Sequence, residues 1–578
     1  MKYLPVPPLH QSLDRYLRAV GPLLDATQRQ RAQAAVQEFA TTDGPACQAE
    51  LLRFADRENA EGRSWLSQTW LTSYLVSRAP LSLSSNVGFR VHSSTEAVGV
   101  GRAADAIHRV AAVHLSWLRG EVEDEVNPRG NPMDMHQWQV LAGGLRHPQP
   151  DQDVFVDGRQ GADAREIGVL FKGRLLMMPI SDGAGHPLSR RLLTDALERL
   201  QGLSLSDDDT FTHLSYLGSD KAATYLDALL EHPHNAEVYD RLIHAVFLIN
   251  LTQVAATMEE HQERVSFHLG QAWAHKPFTY QVSLVDDFVG VHVEHSSVDG
   301  VTLRSMVEVM QGIQREDFDD EGPSITWESL SWRMSDVLRT QLACDTATYE
   351  REAEAFRVRI LQLPVAVPPD LPFAVSHDAI QQFSLLYAQV ATYGRVRSAY
   401  EAVDMREFQS GRTECLRPVT SEALTLVRAL IAGTASQDLL VTALSAHKEQ
   451  VIACKTGQGF DRHLIGLRLM AERLGLKPAF FDDESYTRLM TDFLSTTSVG
   501  DAKQIVRFTF APTTKGGVGV NYTVTDGTYE FCLIHRFDQA ERIDEFIEGI
   551  ETGVGALGRL MSGTDGNGTA MELDQGVI

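Results

Sequence analysis

The stretch from Tyr280 to Ile313 constrains the fold of this chain more than any other. Tyr280–Val285 and Phe288–Glu294 have the composition of strands and meet at an Asp-Asp pair, which predicts two strands joined by a turn. Val301–Ile313 then places its apolar residues at helical spacing. Strands that lead directly into a helix indicate a fold of mixed α and β structure.

The second strand contains two histidines close together. Side chains alternate along a strand, so Val291, Val293 and His295 share one face while His292 and Glu294 share the other. The two histidines would therefore point apart, which argues against a metal site made from the pair.

His295 is the strongest candidate for a chemical role. It would lie at the end of a buried strand, just before an Asp299-Gly300 turn that could open a helix. A partly desolvated, neutral imidazole in that position suits a general base near pH 7. The alternative is a core histidine whose hydrogen bonds are satisfied. Acyltransferases of several kinds use the His-x-x-x-Asp-Gly spacing, which favours the base.

The rest of the chain continues the mixed pattern. Further helices are predicted at Ser12–Val20, Thr27–Phe39, His377–Tyr400 and Asp461–Leu474, and short strands at Arg507–Phe510 and Tyr529–Ile534. The proline-rich segment Leu363–Phe373 is predicted to be a linker or loop. Residues 563–578 are small and polar, which predicts a flexible tail.

Length and charge narrow the class of protein. At 578 residues the chain is long enough for two or more domains. Its 77 acidic and 52 basic side chains give a net charge of −25, which argues against binding to nucleic acid or to anionic membranes. The 5 cysteines are scattered and none has zinc-site spacing, so we expect reduced thiols. The sequence shows neither a signal peptide nor a membrane-spanning segment, and we expect a cytoplasmic protein.

Motifs along nearly the whole chain resemble those of the choline/carnitine O-acyltransferase family. The segments that carry the resemblance, in chain order, are Leu4–Leu9 with Ser12–Leu17, Pro132–Met135 with Arg146–Pro148, Trp273 with Lys276–Phe278, Glu294-His295 with Asp299-Gly300, Ala399–Glu401, Gly411–Glu414, Asp461–Leu464 with Gly466-Leu467, Leu494–Ser498, and Gly517–Val520 with Tyr522. Their common order and spacing make the resemblance strong.

The resemblance implies an architecture. It would be a mixed α/β fold of two similar domains of the CoA-dependent, chloramphenicol acetyltransferase-like type, with an active-site tunnel at their interface. A helical segment, residues 1–89, would pack on the C-terminal domain. Residues 90–340 would form the domain of the catalytic histidine and residues 341–562 the second domain. The family also implies a monomer with no metal and no bound cofactor.

By the same resemblance, His295 is the catalytic base and transfer proceeds without an acyl-enzyme. Asp299 would fix the turn and the orientation of the ring, or serve only the turn. The family's Ser-Thr-Ser run, which would supply the oxyanion donor, is matched by either Ser495–Thr497 or Thr496–Ser498, because one residue is inserted here. Ser498 is our predicted oxyanion donor.

The acceptor site is also implied by resemblance. Carnitine-using members bind the acceptor carboxylate with residues that match Tyr400, Thr413 and Arg462, and choline-using members lack this arginine. Phe510 matches the aromatic residue that faces the quaternary ammonium. Cys415 stands where carnitine enzymes usually have a second threonine. We therefore expect a carnitine-like alcohol or another alcohol that bears a carboxylate.

The chain keeps some of the family's residues at the acyl and donor sites and replaces others. A large side chain at the position of Phe508 resembles short-chain members and predicts a short acyl group. Asp378 and Glu401 match acids near the donor's adenine end. The two lysines that neutralise the 3′-phosphate of coenzyme A in the family are replaced by Val367 and Leu371. Two charge-assisted contacts are thus lost, each worth about 1.5–3 kcal/mol.

Several functions stay open on these residues. Acyl-CoA is the expected donor, and the alternative is a thioester on a carrier protein, used in a biosynthetic tailoring reaction with an acceptor other than carnitine. A non-catalytic binding protein on the same fold would be expected to lose His295. A condensation-type amide synthase is another alternative. Such enzymes usually have two adjacent histidines, whereas the residue before His295 in this chain is Glu294.

Overall fold

The structure, a computed structural model, describes residues 1–203, 210–313 and 324–563. The helices are α1 (Leu9–Val20), α2 (Ala26–Thr41), α3 (Gly44–Ala60), α4 (Ser67–Leu75), α5 (Gly99–Arg119), α6 (Arg190–Gln201), α7 (Ser219–Leu230), α8 (Pro233–His244), α9 (Met258–Phe267), α10 (Gly300–Gly312), α11 (Asp336–Ala353), α12 (His377–Tyr393), α13 (Ser421–Ala432), α14 (Gln437–Lys455), α15 (Asp461–Arg473), α16 (Glu484–Met490) and α17 (Ile543–Ser562). Within these described ranges, none of the helices combines the length and the apolar composition that a membrane span requires.

The strands are β1 (Val87–Val91), β2 (Gly144–His147), β3 (Val154–Asp157), β4 (Glu166–Phe171), β5 (Arg174–Pro179), β6 (Leu248–Thr252), β7 (Phe278–Ser283), β8 (Val289–Val293), β9 (Glu328–Leu330), β10 (Phe356–Pro364), β11 (Ser398–Asp404), β12 (Thr413–Leu416), β13 (Asp492–Thr497), β14 (Ile505–Phe510), β15 (Val518–Thr525) and β16 (Thr528–Arg536). They form two large sheets and one small one. The first sheet has the order β14-β1-β8-β7-β6-β4-β5-β9, and the second has β10-β16-β15-β13-β11-β12. The predicted mixed α/β class, with two sheet-bearing domains, is confirmed.

Strand β14 joins the two halves of the chain. It lies between β13 and β15 in sequence, yet it pairs with β1 at the edge of the first sheet rather than with either neighbour. A large apolar core unites the N-terminal helices with the second sheet and its helices, from Leu4 to Met561. The second half of the chain therefore contacts the first through a shared strand, and the N-terminal helices pack on the second half.

Most predicted elements are found, with two corrections. The predicted helix His377–Tyr400 ends at Tyr393, because Gly394 takes a left-handed conformation with φ of 64° and caps the helix. The last residues of the prediction belong to β11 instead. The first two residues of the proline-rich segment Leu363–Phe373 complete β10, and the rest forms no regular element.

The C-terminal tail prediction falls mostly outside the described residues. Helix α17 continues to Ser562, and Gly563 caps it with φ of 68°. Residues 564–578 lie beyond the part of the chain that the structure describes.

Candidate active site

The loop that carries His295 connects the end of β8 to the start of α10. The Asp-Gly turn opens the helix as predicted, with Asp299 as its N-cap and Gly300 as its first residue. The ring nitrogen Nδ1 lies 2.8 Å from the carbonyl oxygen of Val298. A carbonyl can only accept, so Nδ1 carries the hydrogen and Nε2 keeps its lone pair. No hydrogen bond from the described residues reaches Nε2.

The surroundings keep the His295 ring neutral. Its side chain is 27% exposed. Burial lowers the pKa of His295 below its usual value, and the opposing effect of the Asp299 carboxylate does not cancel it. A neutral ring with a free Nε2 can accept a proton at neutral pH.

Asp299 is held by an arginine rather than by the histidine. Its nearest oxygen is 3.9 Å from Nδ1 of His295, too far for a hydrogen bond. Arg412 donates to both carboxylate oxygens, at 2.7 and 3.0 Å, and Gln137 donates at 3.0 Å. Burial alone would raise the pKa of Asp299, but the Arg412 guanidinium outweighs it and the pKa is lowered. Asp299 is thus a fixed negative charge near the imidazole.

Arg412 also clamps the loop itself. Its Nη2 donates to the carbonyl oxygen of His295 at 2.9 Å, and Nη1 donates to the carbonyl oxygen of Ser296. Arg412 lies just before β12 of the second sheet, whereas the loop follows β8 of the first. In the sequence, Arg412 stands out only as part of the motif Gly411–Glu414, and no role was predicted for it.

Helix α4 contributes two aromatic side chains that the sequence analysis missed. The ring of Tyr74 meets the His295 ring edge-on, with 5.5 Å between the centroids. The ring of Trp70 lies 4.1 Å from the guanidinium carbon of Arg462. The signal that could have found them is an aromatic pair four residues apart, one helical turn, in a segment of mostly polar residues.

Arg462 and Thr413, both predicted to bind the acceptor, line one small cavity together with Arg412 and residues of the N-terminal segment. Nε of Arg462 donates to the carbonyl oxygen of Thr413 at 3.1 Å, and Nη1 donates to Asp461 at 3.2 Å. Burial would lower the pKa of Arg462, but Asp461 more than offsets this, so the arginine stays charged.

The predicted residues on β11 and β13 divide between two faces of the second sheet. Tyr400 pairs with Ser495 across the two strands, so Tyr400, Ser495 and Thr497 share a face. Burial raises the pKa of Tyr400, which keeps its hydroxyl protonated. Thr496 points to the other face, where its hydroxyl accepts a hydrogen bond from Gln382 at 2.8 Å. The same hydroxyl donates to the backbone carbonyl oxygen of Tyr400 at 2.6 Å. The structure therefore joins Thr496 to the backbone of Tyr400, but it places the two side chains on opposite faces of the sheet.

Ser498 follows the end of β13 in a half-buried loop. Its hydroxyl accepts a hydrogen bond from the backbone N–H of Gly500 at 3.2 Å, and its own proton is free to donate elsewhere. A Cβ atom on Gly300 would lie 3.4 Å from the side chain of Val499. The segment after Ser498 thus contacts the helix that follows His295.

Phe508 and Phe510 lie in the strand shared by the two halves. The Phe508 ring stacks on Phe89 with 5.0 Å between centroids and lies 6.3 Å from the Phe510 ring. A Cβ atom on Gly300 would come within 3.2 Å of the Phe89 ring. The aromatic cluster is therefore adjacent to the first turn of α10.

Asp378 and Glu401 lie together on the face of the second sheet opposite Tyr400. Asp378 accepts hydrogen bonds from His447 at 2.8 Å and Tyr522 at 2.7 Å. Burial and the nearby Asp378 raise the pKa of Glu401 well above its usual value. The ligand atoms of Asp378, Glu401 and His447 lie within 4.8 Å of one another, close enough to surround a cation.

The two positions at which the family has its phosphate-binding lysines carry no charge in this chain. Val367 and Leu371 are half-buried and pack against the core of the second half. Their side chains cannot pair with a phosphate.

Comparison with known proteins identifies the family of this chain. The sequence model of the family described as "Choline/Carnitine o-acyltransferase" matches residues 4–552. The chain is 25% identical to carnitine O-acetyltransferase of Mus musculus, over 92% of this chain and 88% of that protein. It is 25% identical to mitochondrial carnitine O-palmitoyltransferase 2 of Bos taurus, covering 95% of this chain and 90% of that one. It is also 25% identical to choline O-acetyltransferase of Danio rerio, covering 95% and 91%. The chain therefore belongs to the choline/carnitine O-acyltransferase family and is an acyltransferase.

Proposed function

We propose that the chain moves a short acyl group from acyl-CoA to the hydroxyl of a carnitine-like or other carboxylate-bearing alcohol, with His295 as general base. The observation that carries the proposal is the state of the His295 ring. The Val298 carbonyl fixes Nδ1–H, and Nε2 is left free beside a carboxylate that Arg412 holds in place.

The reaction needs no acyl-enzyme. Nε2 of His295 takes the proton of the acceptor hydroxyl while its oxygen attacks the thioester carbonyl. The imidazolium that forms lies near the Asp299 carboxylate, which favours the charged ring. When the tetrahedral intermediate collapses, the C–S bond breaks and the imidazolium returns its proton to the thiolate. The Ser498 hydroxyl is the proposed donor to the oxyanion, with Ser495 and Thr497 on the acceptor face.

The acceptor would be held by charge and by hydroxyl groups. The buried Arg462, covered by Trp70, offers a guanidinium to a carboxylate, and Thr413 and Tyr400 offer hydroxyls. Phe510 would face a quaternary ammonium if the acceptor has one. Cys415 in place of a threonine removes one hydroxyl, which supports an acceptor that differs from carnitine. Asp378 and Glu401 would line the donor side.

The donor has two candidates. Family membership supports acyl-CoA. The apolar Val367 and Leu371, packed against the core, favour the alternative, a carrier-protein thioester that has a phosphopantetheine arm but no 3′-phosphate. The bulky Phe508 supports a short acyl group for either donor. Loss of catalysis in favour of binding alone is the least supported function, because the base and its neighbours are present.

A thiol-release assay tests the proposal directly. Acetyl-CoA and an acetylated carrier protein are compared as donors, with carnitine, choline and small hydroxy acids as acceptors. We expect acceptor-dependent thiol release that His295→Ala abolishes. An unchanged rate in His295→Ala would remove the mechanism. The expectations of a monomer and of a cytoplasmic location remain predictions, for size-exclusion chromatography and cell fractionation to test.

A further inference from the structure

A buried arginine lies behind the His295 loop, and the proposed mechanism does not use it. Arg146 sits on β2 with its side chain fully shielded from solvent. Its Nε donates to Asp153 at 2.6 Å. Arg78 also pairs with Asp153, at 2.9 Å, so the buried acids of this region are balanced by guanidinium groups.

One branch of the Arg146 guanidinium reaches the His295 loop. Nη1 lies 3.3 Å from Glu294, whose side chain is fully buried as well. The Glu294 carboxylate in turn accepts from the backbone N–H of Ser296 at 3.2 Å and from its hydroxyl at 2.6 Å. The two residues that flank His295 are therefore tied to each other and to Arg146.

The other branch holds the end of helix α4. Nη2 donates to the carbonyl oxygens of Tyr74 at 2.8 Å and Ser77 at 3.3 Å. The last carbonyls of a helix have no partner within it, and here a buried guanidinium supplies one. Tyr74 is the residue whose ring meets the His295 ring edge-on.

We propose that Arg146 is a positioning residue that sets the Tyr74 ring against the His295 ring, and thereby the direction of Nε2. One rigid, planar fork contacts both partners, so their separation cannot vary independently of it. Arg412 fixes the carbonyl side of the same loop, and Arg146 fixes the opposite side through Glu294. This inference rests on the proposed role of His295 as the base.

Arg146→Lys tests it, because a lysine keeps the charge but lacks the fork that spans both branches. We expect kcat to fall by about tenfold to a hundredfold with an unchanged KM for the donor, since a small misplacement of a catalytic group has effects of that size. The matched control is Arg165→Lys. Arg165 is also buried, in the same half of the chain, but it donates only to backbone carbonyls, such as those of Ala142 and His244.

A double-mutant cycle separates positioning from stability. We expect Arg146→Lys to lower kcat far less in a Tyr74→Leu background than in the wild type. The reason is that both changes disturb the same contact, that between the Tyr74 ring and the His295 ring. Glu294→Gln, which keeps the shape and removes only the ion pair, provides a second variant if Arg146→Lys does not fold. It should lower kcat in the same direction.

Three results would overturn the positioning role. They are a kcat within twofold of the wild type in both variants, a loss no greater than that of Arg165→Lys, and full additivity with Tyr74→Leu. His295→Ala distinguishes failure of the proposed function from failure of the positioning role alone. If that variant keeps its rate, the proposed function fails and the positioning role fails with it. If it is inactive while Arg146→Lys is fully active, only the positioning role fails.

Discussion

Arg412 and Asp299 form an ion pair between the two sheet-bearing halves of the chain, with donor–acceptor distances of 2.7 and 3.0 Å. Arg412 precedes an edge strand of the second sheet, and Asp299 caps the helix that follows the first sheet's β8. The same guanidinium donates to the carbonyls of His295 and Ser296. The contact between the halves and the placement of the histidine are therefore one structural feature.

Arg412→Lys should lower kcat by about tenfold or more, because a lysine cannot bond both carboxylate oxygens and two carbonyls at once. Steady-state kinetics of thiol release measures the effect. Arg406→Lys is the control, since Arg406 is also buried and also pairs with an acid of the first half, Glu125, without contact to the His295 loop. Equal effects of the two substitutions would contradict a special role for Arg412.

The pH dependence of kcat/KM should follow the His295 ring. Its pKa is lowered by burial, so the active neutral form predominates above the usual value of 6.5 and the rate should fall only at acid pH. Asp299 raises this pKa, so Asp299→Asn should move the acid limb to still lower pH and reduce the plateau. Asp287→Asn, at an exposed acid, should leave the profile unchanged. A shift of the limb to higher pH in Asp299→Asn would refute the assignment.

The sequence predicted the residues whose role follows from local spacing. The predicted strand led directly to His295, which the structure places two residues beyond the end of β8, in the loop that follows it. The Asp-Gly pair marked the start of α10. The prediction of a helix up to Tyr400 was wrong, because the helix ends before Gly394. The apolar pattern continues through the turn into the next strand and so hides the boundary. Only the conformation of that glycine, set by tertiary packing, separates the two elements.

The missed residues act through contacts that no local pattern encodes. Arg412 touches residues more than a hundred positions away, at His295 and Asp299. Tyr74 reaches the same ring from the N-terminal segment, more than two hundred positions away. Such contacts depend on how the two halves dock, and hydrophobic periodicity says nothing about that. Side-chain alternation along β13 does explain why Thr496 points to the face opposite that of Ser495 and Thr497, once the register of β11 and β13 is known.

Arg462→Gln should raise the KM for a carboxylate-bearing acceptor by about tenfold to a hundredfold and change kcat much less. A bidentate charge-assisted contact made in the ground state would be lost. Activity with choline, which has no carboxylate, should change little. The control is Arg468→Gln, on the exposed face of the same helix. An unchanged KM for every carboxylate acceptor tested would contradict the assignment.

Phe508→Ala should extend the range of acyl groups. Removing the ring opens space beside Phe89, and octanoyl donors should gain relative to acetyl donors in kcat/KM. The same change should cost about 3–5 kcal/mol of unfolding free energy, as for other buried aromatic truncations. Phe480→Ala, in a separate aromatic cluster, should cost similar stability without changing the acyl preference. Identical acyl profiles in the two variants would show that Phe508 does not limit chain length.

Glu414→Gln should stabilise the protein at alkaline pH. Burial raises the pKa of Glu414 from 4.5 to about 7, although the nearby Arg462 opposes this. A raised folded-state pKa contributes stability that is complete below the unfolded value and is lost as pH rises through about 7. Gln does not titrate and keeps an acceptor for the N–H groups of Cys415 and Arg462. In urea unfolding, the free energy of unfolding of the variant should therefore rise relative to that of the wild type between pH 5 and 8, by up to about 3 kcal/mol. Glu422→Gln, at an exposed acid, should show no such trend, and a gain that shrinks with rising pH would contradict the assigned shift.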